Sequence, residues 1–447
     1  MSENMKLPKI LIFGETFKKT GGGGITLNTL FGDWPHENIS MLSDRVGEIS
    51  EIHFTHFYQI GNLENKTLLS KFGIKTGNIS GAKTFQNNKK DQIITPEYKS
   101  LSKNKLYFRL KDTFIYIISS LGLYDFFFKT NVSDELVQWI NQVKPDIIYF
   151  QPGSTRRIKL LLEIHAVTKI PYIIHVMDNF LDPKIQSKIF NNKNKNEVQS
   201  IIEEMVTKSN LCLSICDEMS SQYEKNFGRK FHSFQHAVDS KFWNTDYTVK
   251  ETPSPFIILY AGRIGIGTKR SIIALAKAIE ICNKKYNTNF EFQIQTTSAI
   301  TYEIERLSNN EYIKINTSIP YNDLPKRYAQ ADLLVLPMDF DKTSLAYIKY
   351  SMPTKVPEYL VTGVPILVLA SELTALYKYA KSENWAFLNN TEDIIDIENI
   401  LIEIKGNYLK RVQISEVAKL VGKKNHDVHA IRDSFKKLLM DAIYSIQ

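Results

Sequence analysis

Cysteine is scarce in this chain: three residues in 447, at positions 212, 216 and 282. So few and so scattered, they exclude a disulfide framework, and the odd number speaks against a secreted protein. Cys212 and Cys216 fall at alternating positions of the apolar run LCLSIC, where they read as small buried side chains. Long hydrophobic runs are missing too, since no stretch approaches the roughly 18 to 20 apolar residues that span a bilayer. The N-terminus MSENMKLPKILIFGE lacks the charged, apolar, then small layout of a signal peptide, so the expected location is the cytoplasm. There is no low-complexity tract and no repeat period of the kind that builds solenoids.

What is present is the composition of a folded globular protein, 43% hydrophobic and 23% charged, in a chain too long for one ordinary core. Two domains are therefore expected. The formal charge of +8 favours anionic partners, among them nucleotide diphosphates, acidic lipids and nucleic acid, without choosing between them.

The segment KILIFGE reads as a buried parallel strand that runs into the glycines at positions 21 to 24 and then into a helix. KPDIIYF, IPYIIHVMD and LCLSIC follow as further buried strands separated by helix-length segments. That alternation predicts a parallel sheet covered by helices on both faces. Between residues 83 and 128 it breaks into a lysine-rich stretch followed by an aromatic and apolar one. From Lys83 to Lys111 there are eight basic residues against two acidic ones. This insertion reads either as a helix packed on the sheet after a solvated loop or as a peripheral contact with an anionic membrane.

A domain boundary is expected at ETPSP, residues 251 to 255, giving an N-terminal domain over 1–250 and a second one over 251–425. The second carries the strands PFIILYAGRI, NFEFQIQTT, YIKINTS, DLLVLPM and VPILVLA. The last segment, 426–447, reads as an amphipathic helix that packs back on the N-terminal domain. Each lobe is then a doubly wound α/β sheet, and ligands of such sheets bind at the carboxyl ends of the strands.

The candidate residues sit just after strands. In GETFKKTGGGGITL, Gly22, Gly23 and Gly24 allow backbone amides to approach an anion at a helix start. No lysine precedes Thr26, so the loop is not a Walker A motif. In YAGRIGIGTKRS, Arg263 and Lys269 flank a glycine turn and could neutralise a diphosphate without a metal ion; Arg270 competes with Lys269 for that role. In YSMPTKVPEYLVTGVPIL, Ser351 or Thr354 can cap a helix whose first turn carries Lys355 and Glu358. The histidine pairs His53/His56 and His426/His429 have ligand-like spacing but no companions, and read as surface or capping residues.

Taken in order, the glycine loop, AGRIGIGTKRS, NDLPKRYAQADLLVLP and SMPTKVPEYLVTGVPIL resemble the GT-B glycosyltransferases, in particular the family 4 retaining enzymes of bacterial surface-polysaccharide assembly. The resemblance implies a GT-B fold, two doubly wound Rossmann-like domains facing across a cleft. It implies a nucleotide-sugar donor, a glycan or lipid-linked acceptor, no cofactor, no metal and no nucleic acid. Arg263 and Lys269 would hold the diphosphate, Glu358 the ribose, and His175, with Asp178 second, would contact the donor sugar. The family often carries a further glutamate eight positions before the ribose glutamate, but Tyr350 stands there; Asp339 or Asp341 could supply that contact. A nucleotide-sugar 2-epimerase of the same fold and a basic nucleic-acid-binding protein are the competing readings.

Overall fold

The structure, a computed structural model, describes residues 7–18, 22–44, 53–67, 78–84, 128–179, 195–296, 302–317 and 319–444. Most of the basic and aromatic insertion, residues 85–127, lies outside the described residues, as does Gly21. Two compact units are present, one formed by Met1–Ser233 with Ser434–Gln447 and the other by Phe234–Asp433.

The N-terminal unit is built on an eight-stranded sheet in the order β10-β9-β8-β7-β1-β2-β3-β5. Its strands are β1 (Ile10–Phe13), β2 (Ile39–Ser43), β3 (His56–Gln59), β5 (Gly81–Thr84), β7 (Ile147–Phe150), β8 (Tyr172–Val176), β9 (Leu211–Ser214) and β10 (Phe231–Ser233). All neighbours are parallel except β3 and β5. The segments ILIF, IIYF and YIIHV are buried at every position, which is why they read as unbroken apolar runs and not as alternating ones. A two-stranded antiparallel ribbon, β4 (Asn65–Thr67) with β6 (Phe128–Thr130), lies outside the main sheet.

Helices α1 (Gly22–Phe31), α2 (Asp134–Val143), α3 (Thr155–Thr168), α4 (Lys195–Lys208) and α5 (Asp217–Phe227) connect these strands. Their ends follow local chemistry. Ser133 and Ser154 accept from backbone amides at the starts of α2 and α3, and Gly228 closes α5 with φ 65°. Strand β1 has β7 on one side and β2 on the other, so the chain reverses its direction of travel across the sheet there.

The C-terminal unit holds a six-stranded, fully parallel sheet in the order β13-β12-β11-β14-β15-β16. Its strands are β11 (Phe256–Ala261), β12 (Phe290–Gln295), β13 (Ile313–Asn316), β14 (Leu333–Pro337), β15 (Ile366–Leu369) and β16 (Phe387–Asn389). Its main helices are α6 (Lys269–Tyr286), α7 (Lys342–Ile348), α8 (Lys355–Thr362), α9 (Ala375–Glu383), α10 (Ile394–Gly406) and α11 (Tyr408–Asn425), followed by α12 (Val428–Tyr444). Phe256, Ile258, Ile272, Leu275, Val335 and Leu367 belong to one buried cluster beneath α6 and α10.

The units divide at Phe234, upstream of the proline-rich segment read as a boundary. The intervening chain is held by the C-terminal unit. Trp243 stacks on Tyr328 at 5.5 Å, Lys250 Nζ reaches Asp332 at 3.0 Å, and Arg411 donates to the carbonyls of Lys250 and Glu251. The last part of α12, from Ser434, groups with the N-terminal unit, where Phe435 meets Phe31 at 5.2 Å and Lys436 pairs with Asp33 at 2.8 Å. All three cysteines are buried and unbridged. His426, read from sequence as a surface or capping residue, is the C-cap of α11, its amide donating to the Gly422 carbonyl at 3.0 Å, but it is fully buried and not on the surface, with Nε2 bonded to Tyr379 Oη at 2.9 Å. Among the described residues no helix is long and apolar enough to cross a membrane.

Candidate functional site

Strand β11 ends in a turn that is fixed from several sides. The Ala261 amide donates to Tyr359 Oη at 3.0 Å, and the Gly262 amide donates to the Gln295 carbonyl at 3.0 Å. Tyr260 Oη and Thr268 Oγ1 both donate to the Arg263 carbonyl, at 2.6 and 3.2 Å. Gly267 has φ +90°, and a Cβ there would lie 2.7 Å from Ile348 Cγ2, so both backbone geometry and packing demand glycine. This anchored backbone presents Arg263 as an exposed side chain with no carboxylate partner among the described residues. Lys269 opens α6 and is half-buried, while exposed Arg270 lies 3.8 Å from Asp341.

The two aspartates of PMDFDKTS are engaged at helix starts. Asp339, 2% exposed, accepts from the Ser271 amide at 2.9 Å, and burial pushes its carboxyl above the usual range. Asp341 accepts from the amides of Thr343 and Ser344 at 3.0 and 3.1 Å; its hydrogen bonds with Ser344 hold its carboxyl below the usual range. A carboxylate therefore already sits at the first turn of α6. Tyr350, eight positions before Glu358, is buried, with Lys349 Nζ 5.0 Å from its ring centre.

Helix α8 differs at its start. Neither serine nor threonine caps it as the sequence suggests: Ser351 Oγ turns back to the Tyr347 carbonyl at 3.3 Å, and Thr354 stands at the N-cap without a side-chain hydrogen bond. Among the described residues no side-chain hydrogen bond caps this start; the Val356 amide donates to the Pro353 carbonyl at 3.0 Å and Pro357 has no N–H, so the amides of Thr354 and Lys355 are the ones an anion would meet. One turn further on, Glu358 is fully buried. Its Oε2 accepts from Tyr328 Oη at 3.0 Å and from Lys355 Nζ at 3.1 Å. Its Oε1 is buried with no partner among the described residues. Burial raises its carboxyl above the ordinary range, against the opposing pull of Lys355. A buried carboxylate oxygen with no donor costs on the order of 1–3 kcal/mol, which a ligand hydroxyl would recover.

The turn and α8 are parts of one arrangement within the C-terminal unit, because Tyr359, next to Glu358, receives the Ala261 amide. Tyr328 and Tyr359 also pack against each other, ring centres 5.0 Å apart. These two tyrosines escape notice in the sequence. Tyr328 lies in the quoted run NDLPKRYAQADLLVLP and Tyr359 directly follows Glu358, but nothing in spacing alone shows that their hydroxyls reach a carboxylate and a strand end.

The N-terminal candidates lie in the other unit. Gly22 opens α1. A Cβ on Gly23 would come 2.9 Å from Glu15 Cγ, and one on Gly24 would come 2.8 Å from the Thr16 carbonyl oxygen. Gly24 is thus required by the close passage of residues 16 to 18 over the helix start, whatever binds there, while a side chain at position 23 would have to displace those of Glu15 and Gln151. His175 has no exposed surface; its Nδ1 lies 2.5 Å from Tyr149 Oη, which also receives Gln151 Nε2 at 3.2 Å. Asp178 is exposed, two residues beyond the end of β8.

No family model and no curated protein matches the chain. Solved structures do. Anabaena Alr3699/HepE in complex with UDP aligns over 97% of this chain and 100% of its own, with TM-score 0.60 and 13% identity. The sucrose-phosphate synthase tll1590 from Thermosynechococcus elongatus covers 98% and 99%, with TM-score 0.62 and 9% identity. The fold is GT-B. A glycosyltransferase from Rickettsia africae ESF-5 shares this GT-B architecture over 97% of the chain and 98% of its own, with TM-score 0.55 and 10% identity. The Anabaena protein is also known in complex with UDP-glucose.

Proposed function

We propose that this GT-B protein is a glycosyltransferase that moves a sugar from a nucleotide-diphosphate sugar to a glycan or lipid-linked acceptor, without a metal ion and with retention of anomeric configuration. The observation that carries the donor half of this reading is Glu358, buried with one carboxylate oxygen unpartnered among the described residues, one turn inside a helix whose N-cap residue Thr354 makes no side-chain cap hydrogen bond. That pair suits a nucleotide: a ribose hydroxyl donates to Oε1, and the diphosphate meets the amides near Thr354 and Lys355. Arg263 and Lys269 neutralise the departing diphosphate, with Arg270 as the second cation of that turn. UDP, bound by the Anabaena structural neighbour, is the first nucleotide to test.

In the transfer, the bond from the anomeric carbon to the diphosphate oxygen breaks as an acceptor hydroxyl bonds to that carbon on the same face. The acceptor proton passes to the leaving phosphate oxygen. No protein nucleophile is needed, and the rate comes from charge placed in advance around the leaving group. His175 and Asp178 are the residues we assign to the donor sugar in the N-terminal unit, and contact by His175 requires its buried ring to be uncovered. Peripheral attachment to an anionic membrane through the lysines between 83 and 111 completes the reading.

The test is an incubation with labelled UDP-sugar in the presence of a chelator. Release of UDP that depends on an added acceptor supports transfer. Epimerised donor without acceptor would replace the reading with that of a 2-epimerase.

A further inference from the structure

The N-terminal unit contains a second place suited to an anion. We propose that a cavity at the carboxyl ends of β2, β3 and β7 binds a phosphate group, and that this phosphate is carried by the acceptor. The cavity has a volume of about 100 Å³ and is lined by Asp44, Asn65, Thr130, Ser154, Arg156 and Arg157, with Ile60 and Leu160 as its apolar part. At about 30 Å³ per water molecule, it has room for roughly three waters, enough for a tetrahedral oxyanion.

Its position follows from the topology. Asp44 follows β2, Ile60 follows β3, and Ser154 to Arg157 follow β7, so the lining comes from strands on both sides of β1, where the direction of the sheet reverses. Crevices at that point of an open parallel sheet are where ligands sit.

Its charge is the second observation. Arg156 donates from Nε to Thr130 Oγ1 at 3.0 Å and from Nη2 to Asn65 Oδ1 at 2.6 Å, both neutral acceptors. No carboxylate pairs with it among the described residues. These bonds fasten the β4–β6 ribbon, and among the described residues they leave the guanidinium charge uncompensated, with three of its five donors unused. Arg157 pairs with Asp44, the one carboxylate among the described lining residues. Two guanidiniums against one carboxylate make the described lining net positive. Ser154 Oγ accepts from the Arg157 amide at 3.3 Å, and its own proton can turn to a phosphate oxygen. Two guanidinium forks and a hydroxyl lining one cavity match a phosphate better than a planar carboxylate.

Attribution of the phosphate to the acceptor rests on the transferase reading; the binding itself does not. The experiment is calorimetric titration of the full chain with inorganic phosphate while excess UDP fills the C-terminal unit's nucleotide site. One phosphate should bind per chain. Arg156→Gln should weaken it about tenfold, the scale of one lost charge-assisted contact. Asp44→Asn, which removes the competing carboxylate at constant shape, should tighten it severalfold, an effect a purely structural role for Arg156 does not produce. Phosphate binding of unchanged strength in both variants overturns the site, and if Arg156→Gln does not fold, Asp44→Asn decides alone. Glucose 6-phosphate and phosphatidylcholine vesicles doped with phosphatidic acid then separate the sources. The probe whose binding responds to Asp44→Asn identifies a free or a lipid-borne phosphate, and a response from neither overturns the proposal. Failure of UDP to bind, with the phosphate response intact, counts against the transferase reading and leaves this site standing.

Discussion

At the scale of single residues the account rests on cations and one carboxylate. Arg263 is exposed, so its truncation should leave the fold intact while removing a charge donor from the leaving group. Arg263→Ala should lower turnover about a hundredfold, measured by steady-state assay on protein whose circular dichroism is unchanged. The places of Arg263, Lys269 and Glu358, just after a strand or in the first turn of a helix, were legible in the sequence because each lies in a recognisable run. The fate of Asp339 and Asp341 was not. Both precede a helix, but in the folded chain Asp339 caps α6, remote in sequence, while Asp341 caps its own helix α7. Capping is decided by which amide lies near the carboxylate, and in the case of Asp339 that amide comes from a distant part of the chain.

At the scale of elements, tight approaches make specific glycines indispensable. Gly24→Ala would put a Cβ 2.7 Å from Lys18 Cβ and 2.8 Å from the Thr16 carbonyl oxygen, where backbone cannot easily yield. A loss of about 1–3 kcal/mol is expected, read as a lower midpoint in urea unfolding. The strands were the most readable elements, since a run such as ILIF buried on both faces cannot alternate. The boundary between the units was less readable. Proline content drew it to residues 251 to 255, while the contacts of Trp243 and Lys250 bind the preceding segment to the C-terminal unit. Aromatic stacking and an ion pair from an exposed lysine to a buried aspartate leave no compositional trace.

At the scale of the whole molecule, pH acts through two histidines of the C-terminal unit. Burial pulls His426 down to about 4 and, together with repulsion from His426 and Lys355, pulls His236 down to about 3. Both are therefore neutral when folded. Their contribution to stability is full above the unfolded value of about 6.5 and is lost as pH falls from there through the folded values. For His426 alone this amounts to about 3 kcal/mol. Thermal midpoints measured from pH 7 down to pH 4 should fall, and His426→Gln should flatten the slope; a wild-type midpoint constant across that range would contradict the assignment. The GT-B architecture was visible in the order of strand, loop and helix, because two doubly wound sheets impose their period on the whole chain. The contacts of Tyr328 with Glu358 and of Tyr359 with Ala261 were not visible, because they join residues far apart in the sequence.

The central claim is that the C-terminal unit grips a nucleoside diphosphate through its own cations, helix amides and Glu358, without a divalent ion. Calorimetric titration with UDP in the presence of EDTA tests it most directly. The account predicts binding by the wild-type chain and a loss of about tenfold or more in both Arg263→Ala and Glu358→Ala. Equal affinity in the wild type and both variants would contradict it.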